Sequence, residues 1–180
     1  MNESHNHANF ESSIMDLVLE TQIKLGYSRG AVRLYYKLGP LCRRLVCAPE
    51  ELESAFAEFS AYTAPRLGDV RLTMEGDGRA SIVIPAMGTE YVHEHMNEGG
   101  FLREFIAATM HCPGGIDDIL AVFHRYSSDV ACAPVESDEF DYLIYFPGGD
   151  PDAYRYCVQL HDGHATYHRF TKEDYDDFGF

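Results

Sequence analysis

The chain has 180 residues, 46% of them hydrophobic, with 14 basic against 29 acidic side chains and a formal net charge of −15. That is enough apolar material for one substantial core or two small ones, and no apolar run approaches the ~20 residues needed to cross a bilayer. So acidic a balance disfavours nucleic acid and anionic membrane as partners unless a local patch reverses the field.

The opening stretch "MNESHNHANFESS" is polar and lacks the basic-then-apolar pattern of a secretory signal, so a cytoplasmic location is expected. Phe10, Ile14, Leu17, Val18 and Leu25 recur at helical spacing, and Gly26 supplies a left-handed cap. "AVRLYY" (31–36) reads as a short strand. "LGPLCRRLV" (38–46) reads as a short helix with Leu38, Leu41, Leu45 and Val46 facing inward. Pro49 suits the first turn of the next helix, whose apolar stripe is Leu52, Ala55, Phe56, Phe59 and Tyr62, with Pro65 and Gly68 ending it. Strands 69–74 and 79–85 follow, joined by "EGDG" with the glycines a tight hairpin needs, and "MGTEYVHEHMNE" reads as a helix. Helix, strand, helix, helix, hairpin is the order of a winged helix, expected here over residues 1–98.

The third helix raises a conflict. A recognition helix offers Arg, Lys, Asn or Gln to base edges, yet "PEELESAFAEFS" carries Glu50, Glu51, Glu53 and Glu58 and no base. Carboxylates against phosphates repel, so the scaffold is unsuited to reading DNA through this helix. An ordinary solvated acidic face is one reading; a surface docking a basic protein is the other. Between Glu20 and Glu50 the balance reverses, with Lys24, Arg29, Arg33, Lys37, Arg43 and Arg44 and no acid. The expected partner-binding residues are therefore Arg29, Arg33, Lys37, Arg43 and Arg44 on one side, and Glu50, Glu53 and Glu58 on the other, for a protein partner or self-association. A DNA-binding protein using the basic 24–44 segment is the alternative.

The remaining residues, 99–180, read as a helical hairpin and an antiparallel meander, with Gly99–Gly100 as the hinge. "FLREFIAATMH" (101–111) is broken by "CPGG". "IDDILAVFHRYSS" (116–128) starts with two aspartates in its first turn and buries Ile116, Ile119, Leu120 and Phe123. Strands are expected at 130–136, 139–146, 153–160 and 164–170, and "TKEDYDDF" forms a last short helix capped by Thr171. The whole is an α+β protein: a winged-helix-like half, two helices and a four-stranded antiparallel sheet.

Signals for chemistry are sparse. Cys42, Cys47, Cys112, Cys132 and Cys157 are odd in number and form no CxxC, which argues for reduced, mostly buried thiols. In "YVHEH", His93 and His95 point apart on a helix. In "HDGH", a two-residue turn makes His161 and His164 cross-strand neighbours, the best candidate metal ligands, although a third must come from elsewhere. A metal-dependent enzyme built on that pair is a second alternative. Cys157 and His168 are a possible nucleophile and base. The glycine-rich loops lack a phosphate-loop lysine, and no cofactor is expected.

At "LGYSRGAVRLYY", "EYVHEH", "FDYLIYF" and the ending "YHRFTKEDYDDFGF" the chain resembles a bacterial family of conserved domains of unknown function from anaerobic gut bacteria. The resemblance covers most of the chain and implies no activity, cofactor or catalytic residue. A non-enzymatic regulatory or protein-binding module is the expectation that composition and pattern support best.

Overall fold

Helix α1 runs from Glu3 to Leu25 and ends at Gly26, whose φ of +81° makes the left-handed turn a residue without Cβ tolerates. The computed structural model of the chain describes residues 3–96 and 100–178 and falls into two compact units, Met1–Glu98 and Gly99–Phe180. The hinge expected at Gly99–Gly100 includes Gly99, which lies outside the described residues. Phe10, Ile14 and Val18 form the buried stripe of α1. Leu25 departs from expectation at 82% exposure: the last turn outruns the core, and Lys24 and Gly26 beside it are exposed too.

The first unit continues with β1 (Val32–Lys37), α2 (Leu38–Leu45), a 3-10 turn (Pro49–Glu51), α3 (Leu52–Leu67), β2 (Arg71–Gly76), β3 (Arg79–Ile84) and α4 (Ala86–His95). Gly76, Asp77 and Gly78 all have positive φ, as the β2–β3 turn requires. The strands pair antiparallel in the order β1-β3-β2. The inner face of the sheet, including Leu34, Ile82 and Ile84, packs with Phe10, Ile14, Leu41, Leu45, Phe56 and Phe59 in one core. Pro65 does not end α3 but sits inside its last turn, since one forgone backbone bond there is cheap; Gly68, with φ of +76°, ends it.

Helices α1 and α3 are tied by a buried ion pair. Glu11 is 4% exposed. One of its carboxylate oxygens accepts from Thr63 Oγ1 at 2.5 Å and Arg66 Nε at 2.8 Å, and the other faces Arg66 Nη2 at 2.7 Å. The bond to Glu11 is the leading cause holding the Arg66 guanidinium above its ordinary pKa.

The second unit comprises α5 (Gly100–Met110), α6 (Ile116–Tyr126), β4 (Ala131–Pro134), β5 (Tyr142–Tyr145), β6 (Arg155–His161), β7 (His164–Phe170) and α7 (Lys172–Phe178). Its sheet is the antiparallel meander β4-β5-β6-β7. The chain is thus a mixed α+β protein with antiparallel sheets of three and four strands. Phe101 and Phe105 of α5, Phe123 of α6, Phe146 and Tyr156 interlock, most pairs edge to face, with Phe105 and Tyr156 ring centroids 4.5 Å apart and Phe101 and Phe123 4.9 Å apart. Such pairs add about 0.5–1.5 kcal/mol each beyond area burial. Both faces of β5 are covered. Ile144 stands opposite Tyr156 across the ladder, while Leu143 packs with Cys157 and Phe140 under Phe170 and Tyr175. On α6, Val122 is buried with Ile119 and Phe123, whereas Ile116 and Leu120 are only half-buried, at the flanks of the stripe. Thr171 caps α7, its hydroxyl accepting the Asp174 N–H at 3.2 Å.

Between β6 and β7 lies a second buried polar group. The Tyr156 hydroxyl donates to Asp152 Oδ2 at 3.0 Å, and Arg169, its side chain 3% exposed, stands 3.7 Å from the same oxygen. Burial first, then the Asp152 charge, pushes Tyr156 well above its ordinary pKa.

Candidate functional site

Helix α2 ends in a two-bond cap. The Val46 N–H donates to Arg43 O at 3.2 Å and the Cys47 N–H donates to Cys42 O at 3.0 Å. Such a cap needs its central residue left-handed, which is why glycine or asparagine usually occupies it. Here that residue is Val46, at φ 53° and ψ 49°. A β-branched side chain in this region is a true outlier and costs roughly 1–2 kcal/mol. Val46 is also 65% exposed, so little burial offsets the strain. The sequence pattern places Val46 in the core because the apolar period runs on through it; the cap turns it outward instead.

Turned outward, Val46 stands at a cleft of about 590 Å³ between α1, α2 and α3. Leu45, Val46, Cys47 and Ala55 give it apolar walls, Asn6 and His7 contribute from α1, Glu51 from the 3-10 turn and Glu58 from α3. Positions 51, 54, 55 and 58 share one helix face by their spacing, so the α3 side of the cleft carries two carboxylates and a serine. Glu51 also accepts the Ala48 N–H at 3.1 Å, fixing the entry to the helix. Glu50 and Glu53 are exposed and extend the acidic surface beyond the cleft. The same cap brings the Cys42 and Cys47 thiols together, since residues flanking such a cap touch. Burial, and Cys42 after it, pushes the Cys47 thiol up to about 11.

The bases of 24–44 do not converge on that cleft. Lys24 pairs with Glu20 at 2.7 Å and Arg29 with Glu90 at 3.1 Å. Arg44 is half-buried, donating to Ser13 Oγ at 3.3 Å with its guanidinium 5.9 Å from the Phe10 ring centre, while Arg43 is exposed on α2. Arg33 and Lys37 lie on the outer face of β1, where strand pairing adds two residues that the sequence reading did not single out, Arg71 and Arg79. Period-two alternation along "RLTM" and "RASIVI" puts those arginines outward; only the pairing of β1 with β3 puts them beside Arg33 and Lys37.

The histidine pair forms as the two-residue turn implies. His161 and His164 are direct cross-strand partners with rings stacked 4.9 Å apart. His161 Nε2 lies 3.1 Å from Thr166 Oγ1, and His164 Nδ1 lies 3.3 Å from the Asp162 carbonyl. Among the described residues no group of three or more His, Cys, Asp or Glu is placed to hold a metal ion. His93 and His95 stack on different tyrosines, Tyr27 at 3.9 Å and Tyr91 at 4.3 Å. Cys157 and His168 are cross-strand partners, but burial pushes the Cys157 thiol up to about 11, far from a thiolate at neutral pH.

Val46→Gly is expected to stabilise the chain by about 1 kcal/mol, because glycine adopts the left-handed cap without the Cβ clash. A higher urea midpoint with an unchanged slope is the readout; a lower one would show that the valine is not strained.

Residues 7–179 match the family described as a domain of unknown function, E. rectale gene description (DUF3877), and the chain belongs to it. No curated protein and no solved structure matches the chain. No helix among the described residues is long and apolar enough to cross a membrane.

Proposed function

We propose that this member of the DUF3877 family is a non-enzymatic protein-binding module on a winged-helix-like scaffold, with the cleft between α1, α2 and α3 as its acceptor site. One observation carries the reading: a strained, exposed valine stands on the apolar wall of a cleft whose other lining includes Asn6, His7, Ser54, Glu51 and Glu58. Backbone strain persists where something over-determines it, and it concentrates at sites of use. An apolar wall takes an apolar side chain, and Glu51 and Glu58, with Glu50 and Glu53 outside them, select basic flanks. The matching partner is a polypeptide segment with an apolar anchor between Lys or Arg residues. Phosphate is repelled by the same carboxylates, which disfavours a duplex here.

Ala55, on the cleft wall, is the place for a photo-cross-linking phenylalanine, in the cell that makes the protein. Capture of a polypeptide with a basic segment is expected, and Glu53→Lys with Glu58→Lys is expected to abolish it while leaving the urea midpoint in place. Capture that ignores the charge reversal, or cross-links to nucleic acid, would overturn the reading.

A further inference from the structure

The outer face of the three-stranded sheet carries basic side chains where the cleft carries carboxylates. Register sets Arg33 in line with Val83 and Arg71, Tyr35 in line with Ser81 and Thr73, and Lys37 directly beside Arg79. Tyr35, in the middle row, is 64% exposed. Glu75 pairs with Arg33 at 3.3 Å and Asp69 with Arg71 at 2.7 Å, while Arg79 is exposed and makes no ion pair among the described residues. The face presents an exposed aromatic among four cations, two of them paired with Glu75 and Asp69, with Glu75 also accepting from Ser81 beside Tyr35; the cleft presents a partly apolar recess flanked by anions.

Resting on the reading of the cleft as a docking site, we infer that its occupant is a second copy of this chain, inserting Tyr35 with Arg79 and Lys37 against Glu51 and Glu58. Among the described residues no strand residue lines the cleft, so one copy carries both surfaces separately and offers one to each neighbour. Such contacts run head to tail and extend unless rotation closes them into a ring. Each copy bears a net charge of −15, which repels its neighbour at long range. At about 0.15 M salt the screening length is ~8 Å, so that repulsion fades while pairs in contact persist.

Sedimentation velocity of the full chain tests this. Wild type is expected to associate at about 0.15 M salt and to lose about tenfold in affinity by about 1 M. Tyr35→Ala with Arg79→Glu disables the face; Glu58→Lys disables the cleft. Each variant alone is expected to be monomeric with an unchanged melting temperature. Mixed, they are expected to form a 1:1 dimer that does not grow, because each supplies one intact surface. A monomeric wild type at about 0.15 M salt, association that survives both variants, or a mixture that stays monomeric would overturn the inference. If wild type is monomeric while the Ala55 cross-linker still captures a foreign basic polypeptide in a Glu58-dependent way, the cleft reading stands and the choice of partner falls. Salt-sensitive retention of random duplex DNA by wild type, lost in Arg79→Glu, would instead give the face to phosphate and also overturn self-docking.

Discussion

Asp152→Ala is expected to lower the stability of the second unit by about 3–5 kcal/mol, the cost of breaking a buried charge pair from one side. Both carboxylate oxygens of Asp152 are engaged: Oδ1 accepts the Tyr154 N–H at 2.8 Å, while Oδ2 accepts the Tyr156 hydroxyl and faces Arg169. Alanine removes the counter-ion of a guanidinium whose side chain is 3% exposed, together with the acceptor of a fully buried phenol. Asp152→Asn keeps acceptors for the N–H and the hydroxyl but loses the charge, so it falls between wild type and alanine. Tyr156→Phe removes one neutral donor and is expected to cost about 1 kcal/mol. Hydrogen exchange by mass spectrometry localises the loss to β5, β6 and β7. A cost below about 1 kcal/mol for Asp152→Ala would mean that Arg169 is satisfied without it.

Glu11→Ala is the counterpart in the first unit, with an expected loss of about 2–3 kcal/mol. Glu11 holds Thr63 and both arms of Arg66 and is almost fully buried, but the Arg66 side chain is 35% exposed. Water therefore recovers part of what the guanidinium loses, which sets this cost below that at Asp152. The urea midpoint measures it, and exchange protection should fall in α1 and α3 together. Loss confined to α1 would show that the pair does not bind the two helices to each other.

The group around Tyr156 was partly legible in sequence and the one around Glu11 was not. Buried tyrosine hydroxyls need partners, so a polar partner for the tyrosines of β6 could be expected, with Arg169 among those available. Nothing local distinguishes Glu11 from the other acids of the chain, because its burial depends on which face of α3 meets α1. Caps, turns and the meander were readable because single residues dictate them. Gly26 ends α1, "EGDG" folds the β2–β3 hairpin, Thr171 caps α7, and Asp162–Gly163 sets His161 opposite His164. Long-range pairing was not readable. β1 joins β3 across two helices, and only that step assembles Arg33, Lys37, Arg71 and Arg79 on one face. Position 46 misled for a physical reason: its side chain fits the apolar period, and no glycine or asparagine marks the cap. The acidic α3 was visible at once, but the recess beside it exists only after α1, α2 and α3 pack.

Val46→Gly, carried in the same chain as the Ala55 cross-linker, gives the most direct measurement, since stability and capture are then read on one protein. If the valine is held under strain in order to dock a partner, the glycine chain unfolds at higher urea yet captures about a tenth as much, equivalent to about 1.4 kcal/mol of binding. A glycine chain that is more stable and captures as well as wild type would contradict the central claim.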